Sequence, residues 1–242
     1  MLKNLFSDPQ SEVFTSLPKP PLILPEEGEE LDIELEEDFI KANERLASIN
    51  RRMLDRRGVK AVDFMGSIGS GKTSLLERLV DLLKDRYRIG VIAGDTTTDI
   101  DASRIARHGV SSVQVNTGKE CHLDALLVRR ALKKLLGKKV DLIFIENVGN
   151  LICPADFPVG AHKRVVVVSV TEGEYVIVKK RDIFLAANVA VINKIDLADA
   201  MGVDPAKLAQ DARKANPAIK AVLTSAKFNQ GIEELARALE LI

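Results

Sequence analysis

Only two of the 242 residues are cysteine, Cys121 and Cys153. That is too few for a disulfide framework, so a reduced, cytoplasmic compartment is expected. No basic N-terminal region followed by an apolar run marks a secretory leader. No apolar stretch approaches the ~18 residues that a membrane span needs. Net charge is missing too, since 35 basic residues balance 35 acidic ones. Without an overall field, neither nucleic acid nor a membrane is an expected partner. The balance hides an asymmetry. Residues 1–40 hold eleven acidic side chains against two basic ones, Lys3 and Lys19, which leaves −9 there and +9 over the rest. A positive body suits the handling of phosphate.

What is present is 46% hydrophobic, enough for one core in an α/β domain of roughly 200 residues. Residues 1–37 stand apart. Pro18, Pro20, Pro21 and Pro25 break helices, and an acidic run fills 26–38. This segment is expected to be extended or disordered, or else a strap using Leu22, Ile23 and Leu24. The domain proper is expected over 38–242, led by a helix over 38–57. Phe39, Leu46, Ile49 and Met53 recur there at helical spacing, and Gly58 can end it. Apolar runs follow at 59–65, 89–94, 112–115, 140–146, 164–170, 189–193 and 220–224, several of them β-branched and continuous. Such runs suit strands buried on both faces. Amphipathic stretches at 72–86, 100–108, 122–136, 204–215 and 231–241 lie between most of them. Strand–helix alternation implies a mostly parallel sheet flanked by helices, with ligands beyond the carboxyl ends of its strands.

The strongest motif is Gly66-Ser67-Ile68-Gly69-Ser70-Gly71-Lys72-Thr73, a full match to G-x-x-x-x-G-K-[ST] between a strand and a helix. It places the fold in the P-loop NTPase class. The glycines let main-chain N–H groups curl toward phosphates, and the following helix adds its positive end. Lys72 supplies a point charge to the β- and γ-phosphates, the Thr73 hydroxyl can ligate Mg²⁺, and Ser74 extends the loop's contact set. A carboxylate is also required. The strand 140–146 ends in Glu146-Asn147-Val148-Gly149. Glu146 can hold the metal or orient the attacking water, and the Gly149 N–H can bond the γ-phosphate. Asp95, just after strand 89–94, is the other candidate. Asp101 is a weaker option, better read as capping or solvating the helix after it.

Asn193-Lys194-Ile195-Asp196 is the N-K-x-D pattern, standing at a strand end. The Asp196 carboxylate can accept two hydrogen bonds from guanine, and adenine lacks that pair of donors. Lys194 can lie over the base. Ser225-Ala226-Lys227 follows the next strand as a third base-contact loop. Together they favour GTP and GDP over adenine nucleotides.

Cys121 and His122 are adjacent, and Cys153 stands seven residues after Glu146. By composition alone, two inert cysteines and a capping histidine would be ordinary. Their places beyond the ends of successive strands, on the edge that carries the phosphate loop, favour a metal site. Two thiolates and an imidazole suit Zn²⁺ or Ni²⁺ rather than Mg²⁺. Three ligands leave a sphere that water, a neighbouring side chain or a second subunit could complete. A shared metal would link nucleotide state to dimer formation.

The phosphate loop, Gly118–Asp124 as G-K-E-C-H-L-D, Glu146–Pro154 as E-N-V-G-N-L-I-C-P and N-K-I-D-L at 193–197 together resemble the hydrogenase nickel-incorporation GTPases, the HypB family. The resemblance covers roughly 38–242. It implies a parallel-sheet G domain that dimerises with GTP and hydrolyses it slowly. It further implies delivery of nickel to the hydrogenase large subunit alongside other maturation factors, with the metal on Cys121, His122 and Cys153. Two departures stand out. The N-terminus has no Cys or His to store nickel, and Leu126 occupies the place where some members carry a second histidine. No arginine finger is identifiable, which also points to slow intrinsic turnover. The competing readings are an accessory GTPase for another metalloenzyme, a P-loop small-molecule kinase, and a protein that only sequesters metal.

Overall fold

The computed structural model describes residues 30–95, 100–118 and 121–242. The chain divides into two units, Met1–Glu37 and Asp38–Ile242. In the second, β1 (Lys60–Gly66), β2 (Ile89–Asp95), β3 (Ser111–Asn116), β4 (Leu142–Gly149), β5 (Lys163–Ser169), β6 (Val189–Asn193) and β7 (Lys220–Leu223) form one sheet. Its order is β3-β2-β4-β1-β5-β6-β7, and every pairing is parallel. The central strands β4 and β6 are buried almost throughout, whereas the edge strands β3 and β7 are half-exposed. Continuous apolar runs at the centre and weaker ones at the edge are what burial on both faces demands.

The main helices are α1 (Glu30–Arg57), α2 (Lys72–Leu83), α3 (Ile100–Ala106) and α4 (Ala125–Leu136). They are followed by α5 (Val176–Lys179), α6 (Arg181–Leu185), α7 (Ala198–Met201), α8 (Pro205–Ala215) and α9 (Ile232–Ala238). Alternation along β4 sorts the core. Leu142 and Phe144 pack with Leu75, Leu76 and Leu79 of α2. Ile143 and Ile145 pack with Val128 and Leu132 of α4 and Leu54 of α1. A fully buried leucine in either layer costs about 2–5 kcal/mol when truncated to alanine. Among the described residues no helix is long and apolar enough to cross a membrane.

Helix α1 departs from expectation in two ways. It begins at Glu30 rather than at 38. After Gly28 nothing in the acidic run disfavours a helix, and glutamates favour a helix N-terminus. The reading of the segment before Glu30 lies outside the described residues. The buried stripe is also not the apolar one. Asn43, Ala47, Asn50 and Leu54 face inward, while Phe39 is 70% exposed and Leu46, Ile49 and Met53 are half-exposed. Two asparagines on the inner face make that face read as polar, and their partners are backbone groups that no sequence pattern reveals. Helix α4 starts at Ala125 rather than 122, because Asp124 caps it by accepting the Leu127 N–H at 2.6 Å. Between β5 and β6, where no helix is expected, α5 and α6 are too short for periodicity to register.

Candidate nucleotide and metal site

Strand β1 delivers Gly66 to the carboxyl edge of the sheet, and α2 starts at Lys72. A Cβ on Gly66 would lie 2.4 Å from the Val167 carbonyl oxygen. One on Gly71, where φ is 98°, would lie 2.3 Å from Asn193 Nδ2. The loop therefore tolerates no side chain at either position. Lys72 is buried, and its Nζ donates to the Gly66 and Ser67 carbonyls at 3.0 and 3.1 Å. Burial pushes its pKa down, and the carboxylates of Glu146, Asp101 and Glu172 push the other way.

The Thr73 hydroxyl lies 2.7 Å from Glu146 Oε1 and 3.0 Å from Asp101 Oδ1. One hydroxyl proton cannot serve two carboxylates at once. Glu146 Oε2 is buried with no hydrogen-bond partner. Burial raises the Glu146 carboxyl to about 7, against the pull of Lys72 and Thr73. A hydroxyl in contact with two carboxylates, with Glu146 Oε2 beside them orphaned, fits a divalent cation with hard-oxygen preference. Asp95, Asp101, Gly149 and Lys194 line the same cavity, of about 460 Å³, as the phosphate loop. Ser74 accepts from Arg104 Nη2 at 3.2 Å, and Ser67 donates to Glu172 at 2.5 Å.

The N-K-x-D segment is stitched to the loop. Asn193 Nδ2 donates to the Ser70 carbonyl at 2.9 Å, while its Oδ1 accepts from Thr224 Oγ1 and the Ala226 N–H. Lys194 adopts φ 60°, and the exposed Asp196 accepts from Ser225 Oγ at 2.5 Å. Lys227 is exposed, its Nζ 5.1 Å from the Phe228 ring centre. A larger concavity of about 760 Å³ lies against α1. Its Arg51, His162 and Arg164 already bind Gly160, Asp55 and Ala155, so it holds none of this chemistry.

The metal candidates also meet. The ligand atoms of Cys121, His122 and Cys153 all lie within 4.8 Å of one another. A tetrahedral ion with bonds of about 2.0–2.3 Å holds its donor atoms roughly 3.3–3.8 Å apart, and these stand between 2.8 and 4.8 Å apart, so the donor set suits a thiophilic metal after small side-chain adjustments. The two thiols are free, 2.8 Å apart, and His122 Nδ1 is 3.9 Å from Cys121 Sγ. Hydrogen bonding to Cys153 and then burial hold the Cys121 thiol above its ordinary pKa. The His122 ring stacks on Phe157 with centres 3.9 Å apart.

A family model described as the CobW/HypB/UreG nucleotide-binding domain matches residues 60–223. A probable hydrogenase maturation factor HypB from Methanocaldococcus jannaschii is 53% identical over 208 residues, covering 86% of this chain and 94% of that protein. The chain belongs to the HypB family. The crystal structure of HypB from Archaeoglobus fulgidus superposes with a TM-score of 0.78 at 45% identity, covering 83% of this chain and 98% of that one. HypB from Helicobacter pylori, solved in complex with nickel, gives 0.76 at 33% identity, covering 82% and 94%.

In this HypB-family chain the frame around the cysteines is what sequence reasoning misses. Asn150 Nδ2 donates to the Cys121 carbonyl at 3.3 Å, and its Oδ1 accepts the Ile152 N–H at 2.8 Å, so it ties the two cysteine segments together. Asn43 accepts from Ala125 N and donates to the Pro158 carbonyl. Asn50 donates to the Ala125 and Val159 carbonyls at 2.8 and 3.0 Å. Asp101, set aside as a helix cap, stands at the Thr73 hydroxyl instead.

Proposed function

We propose that this chain is a GTP-hydrolysing metallochaperone that carries nickel, or zinc, and supports nickel insertion during [NiFe]-hydrogenase maturation. What supports the reading is a two-thiol, one-imidazole cluster on the same edge of the sheet as a phosphate loop. Glu146 ends in the nucleotide cavity, and Cys153 follows it by seven residues. The matched relatives named as hydrogenase maturation factors, and one solved with nickel, support the client and the cargo.

In this reading the main-chain cradle at 66–73 holds the phosphates, Lys72 neutralises their charge, and Asp196 accepts two hydrogen bonds from guanine. Thr73 and Glu146, with Asp95 or Asp101 beside them, would hold Mg²⁺, which when bound offsets charge on the phosphate oxygens. Glu146, or Asp95, orients the attacking water. The absence of an arginine finger among the described cavity residues fits slow turnover, with Arg104 engaged by Glu77 at 2.7 Å. Nickel is cargo on Cys121, His122 and Cys153, and a second copy of the chain supplies the remaining ligands. Dimerisation then depends on both nucleotide and metal.

Purified protein titrated with GDP, a non-hydrolysable GTP analogue and ATP tests this. Nickel and zinc are titrated in each state while oligomer mass is measured. Guanine nucleotides should bind at least roughly a hundredfold more tightly than ATP. Asp196→Ala should cost about 10–100-fold in GDP affinity. Equal affinity for ATP, or metal affinity and dimerisation indifferent to nucleotide, overturns the reading.

A further inference from the structure

The geometry points to Asn147 as the positioning residue through which nucleotide state reaches the Cys121–His122 segment. This inference rests on the coupled metallochaperone reading above. Successive side chains of a strand point to opposite faces of the sheet. On β4, Glu146 faces α2 and meets Thr73, so the next residue must face α4. Asn147 does so, and it is 1% exposed.

Its amide group makes three bonds. Oδ1 accepts the Leu123 N–H at 2.9 Å and the Val148 N–H at 3.0 Å. Nδ2 donates to Asp63 Oδ1 at 3.2 Å. Leu123 directly follows His122, and Asp63 lies on β1 three residues before Gly66. Asp63 is itself fully buried, with Arg164 Nε at 3.7 Å from its other oxygen. One planar amide therefore joins the strand that feeds the phosphate loop, the strand that carries Glu146 and the segment that carries two metal ligands. A second side-chain link, from Asn150 to the Cys121 carbonyl, is longer and exposed.

The amide is planar and short. Any movement of the strand end 146–149 moves the acceptor of the Leu123 N–H with it. A buried N–H has no water to turn to, so Leu123 must follow, and with it His122 and Cys121. This is a contiguous hydrogen-bonded connection rather than mere proximity. Coupling between sites is ordinarily 5–150-fold in affinity.

The test is nickel affinity, by competition titration, in the GDP and GTP-analogue states. It is measured for the wild-type chain, Asn147→Ala and Asn147→Asp. Wild type should differ between the two states by at least about fivefold. Asn147→Ala should bind nickel with the same stoichiometry and GDP within about threefold, yet show a difference between states below about twofold. Asn147→Asp keeps an acceptor for the Leu123 N–H, and a proton shared with the buried Asp63 carboxyl takes the place of the amide donor, so it should retain most of the wild-type difference. If Asn147→Ala does not fold, Asn147→Ser is read in its place with the same expectation. A full wild-type difference in the alanine variant overturns the inference alone. So does an aspartate variant as uncoupled as the alanine one. A wild type with no difference between states ends both the inference and the coupling it rests on.

Discussion

The nucleotide end and the metal end of this protein lie on one edge of one sheet, but they are held in different ways. At the nucleotide end the holding groups belong to the nucleotide-binding motifs themselves. Gly66 and Gly71 leave no room for a side chain, Lys72 folds onto its own loop, and Asn193 binds Ser70. At the proposed metal end the candidate ligands are local, but part of their frame comes from the distant helix α1. Asn150 holds Cys121 and Ile152, Asn147 holds Leu123, and Asn43 and Asn50 reach in from α1. A site framed by its own motifs is damaged chiefly by changes to those motifs. A site framed by distant asparagines is open to adjustment from elsewhere, as a chaperone that must both hold and release a metal requires.

The sharpest way to break that comparison is Lys72→Ala. Removing the buried charge should lower guanine-nucleotide affinity or turnover by roughly 10²–10³-fold. Nickel affinity without nucleotide should stay within about threefold, because no bond from Lys72 reaches the cysteine frame. Nucleotide binding and metal titration on the same preparation decide it. A parallel loss of nickel binding would show that the two ends share one frame.

Next in size is Glu146. Its carboxyl titrates near 7 in the folded chain against an ordinary 4.5, and burial is the leading cause. A raised carboxyl pKa means the folded state keeps a proton that the unfolded chain releases. Stability should therefore fall as pH rises from about 4.5 to 7 and level off above, by up to about 3 kcal/mol for a fully expressed shift. Glu146→Gln should remove this fall in the nucleotide-free protein. Denaturant midpoints at several pH values, wild type minus variant, give the answer, and parallel pH curves would show that Glu146 is not the titrating group.

Cys153→Ser addresses the other end. Losing one thiolate should weaken nickel or zinc binding by at least roughly 10–100-fold, with GDP affinity within about twofold. Unchanged metal affinity would move the site away from this cluster.

The same contrast explains what the sequence shows. The seven strands and the phosphate loop are legible because their signals are contiguous: apolar runs and fixed spacings. The proposed metal ligands are legible as residue types placed after strand ends. Their frame is not, since Asn43 and Asn50 sit where an apolar stripe is expected, and of the visible stripe Phe39 is exposed and Leu46, Ile49 and Met53 are only half-buried. Asp101 misleads for a related reason. Standing second in α3, it looks like a residue that serves its own helix, and only the fold brings it to Thr73, 28 residues away.

Asn50 carries the smallest and most informative expectation. It is fully buried, and its Nδ2 serves two carbonyls, one at the start of α4 just after the Cys121–His122 segment and one in the loop beyond Cys153. Its Oδ1 has no partner, so part of the gain from those two bonds is already offset. Asn50→Ala should therefore cost only about 1–2 kcal/mol of stability, less than a comparable buried leucine truncation. That loss should come with a change in nickel affinity and none in GDP affinity, because both carbonyls flank cysteines and neither flanks the phosphate loop. Chemical denaturation paired with the two titrations separates the outcomes. A variant equally destabilised but with nickel binding untouched would show that α1 supports the core alone, and that the metal end is framed by β4 and its own loops.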